Sequence, residues 1–121
     1  MGLQDSSVIK AVGLFGGGIA HSGQVCGALT GAIAALSSRY SRGTLDERED
    51  PAMWQVGGRM VSKFEELTAQ HGGIRCQDIA RVDWRDPASV DQFRNGPDSR
   101  RSICIQLVED TAEALGELIE A

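Results

Sequence analysis

Three cysteines, Cys26, Cys76 and Cys104, are the residues of this chain best suited to carry chemistry. The local sequence suggests that each opens a helix. Gly16-Gly17-Gly18-Ile19-Ala20-His21-Ser22-Gly23 runs into Cys26 and a stretch of small residues, Gly72-Gly73-Ile74-Arg75 leads into Cys76, and Arg100-Arg101-Ser102 precedes Cys104. A helix N-terminus carries partial positive charge and free N–H donors, which favour thiolate over thiol. Thiolates bind metals and react with oxidants. The expectation is a thiolate site, either a metal or iron–sulfur centre or a redox thiol. No Cys-x-x-Cys occurs, so the chain has neither a zinc-ribbon nor a thioredoxin-type pair. Any shared site must therefore be assembled by the fold. The bland alternative is that each cysteine fills space in a core, as free cysteines often do.

Two histidines accompany the thiols. His21 lies in the glycine loop, where it is either a fourth ligand, a proton donor to a bound species, or simply an exposed loop residue. His71, before Gly72-Gly73, reads as a helix C-terminal residue favoured by the dipole. Trp54 and Trp84 are large enough to shield a cluster, although such side chains more often only pack. The acids of Asp46-Glu47-Arg48-Glu49-Asp50 and Glu65-Glu66 read as solvated faces and caps. Gly16-Gly17-Gly18 is not a dinucleotide fingerprint, since no strand precedes it, and no Ser/His/Asp set has hydrolase context.

The elements that must position these residues read as helices. Residues 6–15 suggest a short helix capped by Ser6 or Ser7, broken by the glycine run. Residues 24–40 suggest a helix of small residues, with Gly27, Gly31 and Ala35 on a strip that lets another helix come close. Asp50-Pro51 is a strong helix start, and Met53, Trp54, Gly57, Met60, Val61, Phe64 and Leu67 recur at the spacing of a core-packed face. That helix ends near Gln70, where glycines follow. Cys76 to Ala80 reads as a short helical turn. Residues 82–101 read as loop with one turn at 88–93, and residues 103–120 as the last amphipathic helix. No alternating segment is long enough for a strand. The expected fold is all-α: residues 1–121 form a single helical redox domain, a bundle of about three long and two or three short helices.

Composition narrows the classes. The 121 residues carry a net charge of −5 and a pI near 4.9, which argues against a nucleic-acid partner. The longest apolar run, residues 25–36, is too short to span a bilayer, and no secretory leader is present. Met1-Gly2-Leu3-Gln4-Asp5-Ser6 fits a loose myristoylation pattern that chance readily produces. An odd number of cysteines without an export signal points to a reducing cytoplasm.

Phe15-Gly16-Gly17-Gly18 and Cys26-Gly27-Ala28-Leu29-Thr30-Gly31, followed by Cys76 and Cys104, resemble the C_GCAxxG_C_C family of redox-active proteins. The Cys-Gly-Ala-x-x-Gly core is complete, and the resemblance runs from about residue 8 to the end. The family resembles the cluster-binding part of split-Soret cytochrome c. The resemblance implies an iron–sulfur cluster of undetermined type on Cys26, Cys76 and Cys104, with Gly27, Ala28 and Gly31 as backbone or packing positions. It implies a helical and often dimeric protein that exchanges electrons with a redox partner or senses redox state. Covalent haem is not implied, because Cys-x-x-Cys-His is missing. The family pattern has a further cysteine upstream of the glycine loop, and this chain has none before Cys26. Clusters usually take four protein ligands. A three-cysteine site would leave one iron open or recruit His21, a second chain or a small molecule. Two alternatives stand beside it. One is a metal-free thiol enzyme with Cys26 as low-pKa nucleophile and Cys76 or Cys104 as resolving thiol. The other is an accessory subunit of a larger redox complex.

Overall fold

A computed structural model describes residues 5–120. Six α-helices follow one another: α1 (Ser6–Ala11), α2 (Gly27–Tyr40), α3 (Met53–Thr68), α4 (Cys76–Ile79), α5 (Pro87–Asn95) and α6 (Arg101–Glu120). Among the described residues there is no strand, only an isolated antiparallel bridge between Val25 and Arg75. The all-α architecture with three long helices is the one expected. No described helix is long and apolar enough to cross a membrane.

Local chemistry sets the helix ends. The cap of α1 is Asp5, whose Oδ1 accepts from the Ser7 N–H at 2.8 Å, rather than Ser6 or Ser7. Asp50 Oδ1 accepts from the Ala52 N–H at 2.8 Å just ahead of α3. Beyond Thr68 the chain tightens into a 3₁₀ turn at Ala69–His71 and leaves through Gly72, which has a φ of 94°. The segment read as loop with a single turn forms the full helix α5. Asp86 Oδ1 accepts from the Ala88 N–H at 3.0 Å, Pro87 occupies the first helical position, and Asn95 donates to Asp91 at 2.9 Å. Capping supports this helix where a buried face does not, since none of its residues is fully buried.

The long helices α2, α3 and α6 pack against one another. Between them lie Leu29, Ala32, Leu36, Met60, Phe64, Leu107 and Ala114, joined by Ile79 from α4. Met60 and Phe64 are wholly inaccessible, and burying side chains of this size contributes about 1.5–3 kcal/mol each. Thr68 and Thr111 enter the same interior at little polar cost. Their hydroxyls donate to the carbonyls of Phe64 and Leu107, one turn back. A smaller cluster of Cys76, Ala80 and Val82 lies beside this core, with Trp84, Val90 and Phe93 packed on it. The N-terminal myristoylation pattern falls largely outside the described residues.

Candidate functional site: a three-thiol junction

The three cysteines lie where the main core meets the smaller cluster. Cys26 and Cys104 pack against the core, Cys76 is buried in the smaller cluster, and Cys104 also touches that cluster. All three are free thiols. Each does stand at a helix start. Cys26 is the N-cap of α2 and Cys76 is the first residue of α4, whereas Cys104 lies within the first turn of α6, which begins at Arg101.

Backbone pairing ties the first two together. The Cys26 N–H donates to the Ile74 carbonyl at 3.0 Å, and the Cys76 N–H donates to the Gln24 carbonyl at 2.6 Å. This crossed pair joins the segment before α2 to the segment before α4. Arg100 fastens the third element: its Nε donates to the Ile79 carbonyl at 2.7 Å and its Nη2 to His71 Nδ1 at 3.1 Å. The start of α6 is thereby held to the end of α4 and to the turn after α3.

The glycine run does more than break the chain. Five consecutive residues, Gly17 to His21, all have φ between 51° and 70°. Three of them, Ile19, Ala20 and His21, are not glycine, and left-handed backbone costs such residues about 1–2 kcal/mol each. Hydrogen bonds hold this left-handed turn: Ala20 N–H to the Leu14 carbonyl, His21 to Gly16, Gly23 to Gly17 and Gln24 to Gly18. At Gly18 the chain passes so near Cys76 that a Cβ would lie 2.7 Å from the cysteine Cβ and 2.6 Å from the Gln24 backbone. Gly27 works similarly, because a Cβ there would meet the Phe15 carbonyl oxygen at 3.0 Å. The Gly31 position faces open space, so the small-residue strip is used for close approach only at its Gly27 end.

The electrostatics reverse the expected preference for thiolate. Burial pushes the Cys26 thiol up, the N–H groups of Ala28 and Leu29 pull it partly back, and the neighbouring Cys76 adds to the rise. Burial likewise pushes Cys104 up to about 11, with Cys26 and Cys76 adding to the effect and Arg100 opposing it. Desolvation outweighs the helix termini. The same couplings place the three thiols within one another's electrostatic reach.

His21 is exposed, and its ring stacks on Trp84 with centroids 4.3 Å apart and planes 9° from parallel. Trp84 in turn meets the edge of Phe93 at 5.6 Å. Among the described residues no group of three or more His, Cys, Asp or Glu side chains is placed to close on a metal ion. Trp84 was expected as a shield or as packing; it packs on the Cys76 cluster, and its indole N–H is buried with no hydrogen-bond partner. An orphaned donor of this kind costs about 1–3 kcal/mol. Nothing in the sequence signals it. Trp54 plays no shielding part: it is exposed and donates to Glu49 at 3.0 Å. His71 is part of the scaffold through Arg100, and burial followed by the charges of Arg100 and Arg81 lowers its pKa.

Comparison with curated proteins gives no significant match, and neither does comparison with solved structures. A family model described as putative redox-active protein (C_GCAxxG_C_C) matches residues 1–118. With nearly the whole chain matched, and its three cysteines gathered at one junction, the protein belongs to the C_GCAxxG_C_C family of redox-active proteins.

Proposed function

We propose that this redox-active protein holds an iron–sulfur cluster through Cys26, Cys76 and Cys104 and exchanges single electrons with a partner protein in a reducing cytoplasm. The observation that carries the reading is the convergence of three free thiols, with Cys76 adding to the raised pKa of Cys26 and both adding to that of Cys104. A shared cationic group in place of the thiol protons offsets the desolvation and mutual repulsion that disfavour thiolates at Cys26 and Cys104.

When bound, the cluster supplies one-electron chemistry without making or breaking bonds to the protein. The chain's own residues do the rest. Cys26 and Cys104 give up their protons on binding, the left-handed turn with Gly18 lets backbone come close to Cys76, and the two apolar clusters keep water out. Three cysteines leave a fourth position to a small molecule, to a second copy of the chain, or to His21 if it leaves its stack on Trp84. The raised pKa of Cys26 speaks against the metal-free alternative that needs it as an acid-shifted nucleophile.

Anaerobic purification followed by iron and acid-labile sulfide determination per chain, with a visible spectrum, tests the reading. Stoichiometric iron and sulfide that are lost in Cys26→Ser support it. A colourless protein that cannot be reconstituted, or a Cys26→Ser variant with unchanged metal and colour, overturns it.

A further inference from the structure

We infer that the cleft between the left-handed turn and the segment after α4 binds a small organic anion, whose phosphate or carboxylate group Arg81 and Arg85 hold. The site is separate from the thiols and independent of any group bound there. A cavity of about 480 Å³ lies in this cleft, lined by His21 of the turn, by Gln77 of α4 and by residues 81–85. Small-molecule sites fall in the range of roughly 300–1,000 Å³. Charge runs against the trend of the chain here. Acids outnumber bases 17 to 12 overall, yet two arginines and one acid, Asp83, line the cavity. The carboxylates of this region are already engaged. Asp83 Oδ1 accepts from the Arg85 N–H at 3.0 Å, Asp86 caps α5, and Asp78 pairs with Arg75 at 3.1 Å. Among the described residues neither Arg81 nor Arg85 has an ion-pair partner.

Arg81 is the telling residue. It follows Ala80, the C-cap of α4, and has a φ of 54°. Glycine is the usual occupant of such a left-handed position, and a side chain there is strained. Its Nε donates to the Asp78 carbonyl at 3.2 Å, and its two terminal nitrogens have no protein partner among the described residues. Four non-glycine residues have left-handed backbone, and two of them, His21 and Arg81, line this one cavity. Strain of this kind clusters at ligand clamps. A guanidinium fork matches two oxygens of a carboxylate or phosphate, and two forks in one cleft select an oxyanion. The stacked rings of His21 and Trp84 also line the cleft and give the body of the anion an aromatic wall.

The test uses the full metal-free chain carrying Trp54→Phe, so that Trp84 is its one tryptophan and its fluorescence reports the cleft. Inorganic phosphate, ribose 5-phosphate and citrate are titrated at constant ionic strength, with calorimetry alongside and sodium chloride as the control for screening. The expected result is saturable binding of at least one of the three, weakened fivefold or more by Arg81→Gly and by Arg85→Gln. Arg81→Gly should keep its helicity by circular dichroism, because glycine accepts the left-handed backbone, so the loss reads the guanidinium and not the fold. A response to the two phosphates alone, or to citrate alone, assigns the source of the oxyanion. No saturable response to any of the three, or an equal response to sodium chloride, overturns the site. A loss smaller than fivefold in either variant overturns the clamp of two arginines. Should Arg81→Gly lose helicity, Arg85→Gln, whose side chain is exposed, decides alone.

Discussion

At the scale of single residues, opposing forces act on the thiols of Cys26 and Cys104. The helix terminus and the N–H groups of Ala28 and Leu29 favour a thiolate at Cys26, while removal from water favours the neutral thiol, and burial wins. Cys104 gives the clearest readout, because its pKa is pushed up to about 11 by burial and then by the two neighbouring thiols. In the metal-free protein it should alkylate slowly at pH 7, with the rate rising toward pH 11 rather than levelling near the ordinary value of 9. Replacing Cys76 by Ser should bring that midpoint down by removing one of the charges that raise it. Mass spectrometry of iodoacetamide labelling across pH checks both; a Cys104 midpoint at or below 9 in wild type would contradict the burial argument. The linkage has a definite sign. A pKa raised in the folded state supports stability below the unfolded value, and that support is lost as pH climbs between 9 and about 11. The three cysteines and their helix starts were legible in the sequence, since glycines and arginines punctuate them. The direction of the pKa was not, because it depends on how far the fold buries each sulfur.

At the scale of elements, the left-handed turn from Gly17 to His21 is the costly piece of the molecule. Glycines at 17 and 18 accept this geometry readily, but Ile19, Ala20 and His21 do not. Backbone strain of this sort persists where surrounding structure imposes it, and here the turn brings Gly18 against Cys76 and His21 onto Trp84. Two substitutions separate cost from use. Ala20 is exposed with a φ of 51°, so Ala20→Gly should raise stability by roughly 0.5–1 kcal/mol and leave the thiol site alone. Gly18→Ala adds a methyl 2.7 Å from the Cys76 Cβ and should lower stability by more than about 1 kcal/mol while altering thiol labelling at Cys76. Urea unfolding of both variants decides, and equal effects of the two would refute the distinction. The sequence marked a break at residues 16–18, yet Ile19 and Ala20 carry no local sign of left-handed backbone. Helix α5 is hard to read from sequence for a related reason: its support is capping by Asp86 and Pro87, and its mostly exposed residues lack the apolar stripe that marks α3.

At the scale of the whole molecule, the site is a seam between two apolar clusters, and the integrity of the seam depends on what crosses it. Cys104 touches both clusters, and Arg100 links Ile79, His71 and the start of α6. The Arg100–His71 hydrogen bond has a protonation requirement: Nδ1 accepts from the guanidinium only while the imidazole is neutral. Burial and the charges of Arg100 and Arg81 lower the His71 pKa below 6.5, so the unfolded chain binds this proton more readily than the folded one. Stability from this tether is therefore complete above pH 6.5 and declines as pH falls below it. The residue is half-buried, so solvent still screens the interaction and keeps the effect modest. The expected outcome is a urea midpoint that falls between pH 7.5 and 5.5 in the wild type and falls less in His71→Gln, which retains an acceptor but cannot titrate. The variant is needed to separate His71 from every other group that changes charge over that interval. If both proteins lose the same stability over that interval, Arg100 is holding α6 to α4 through the Ile79 carbonyl alone, and the seam is insensitive to the charge on His71.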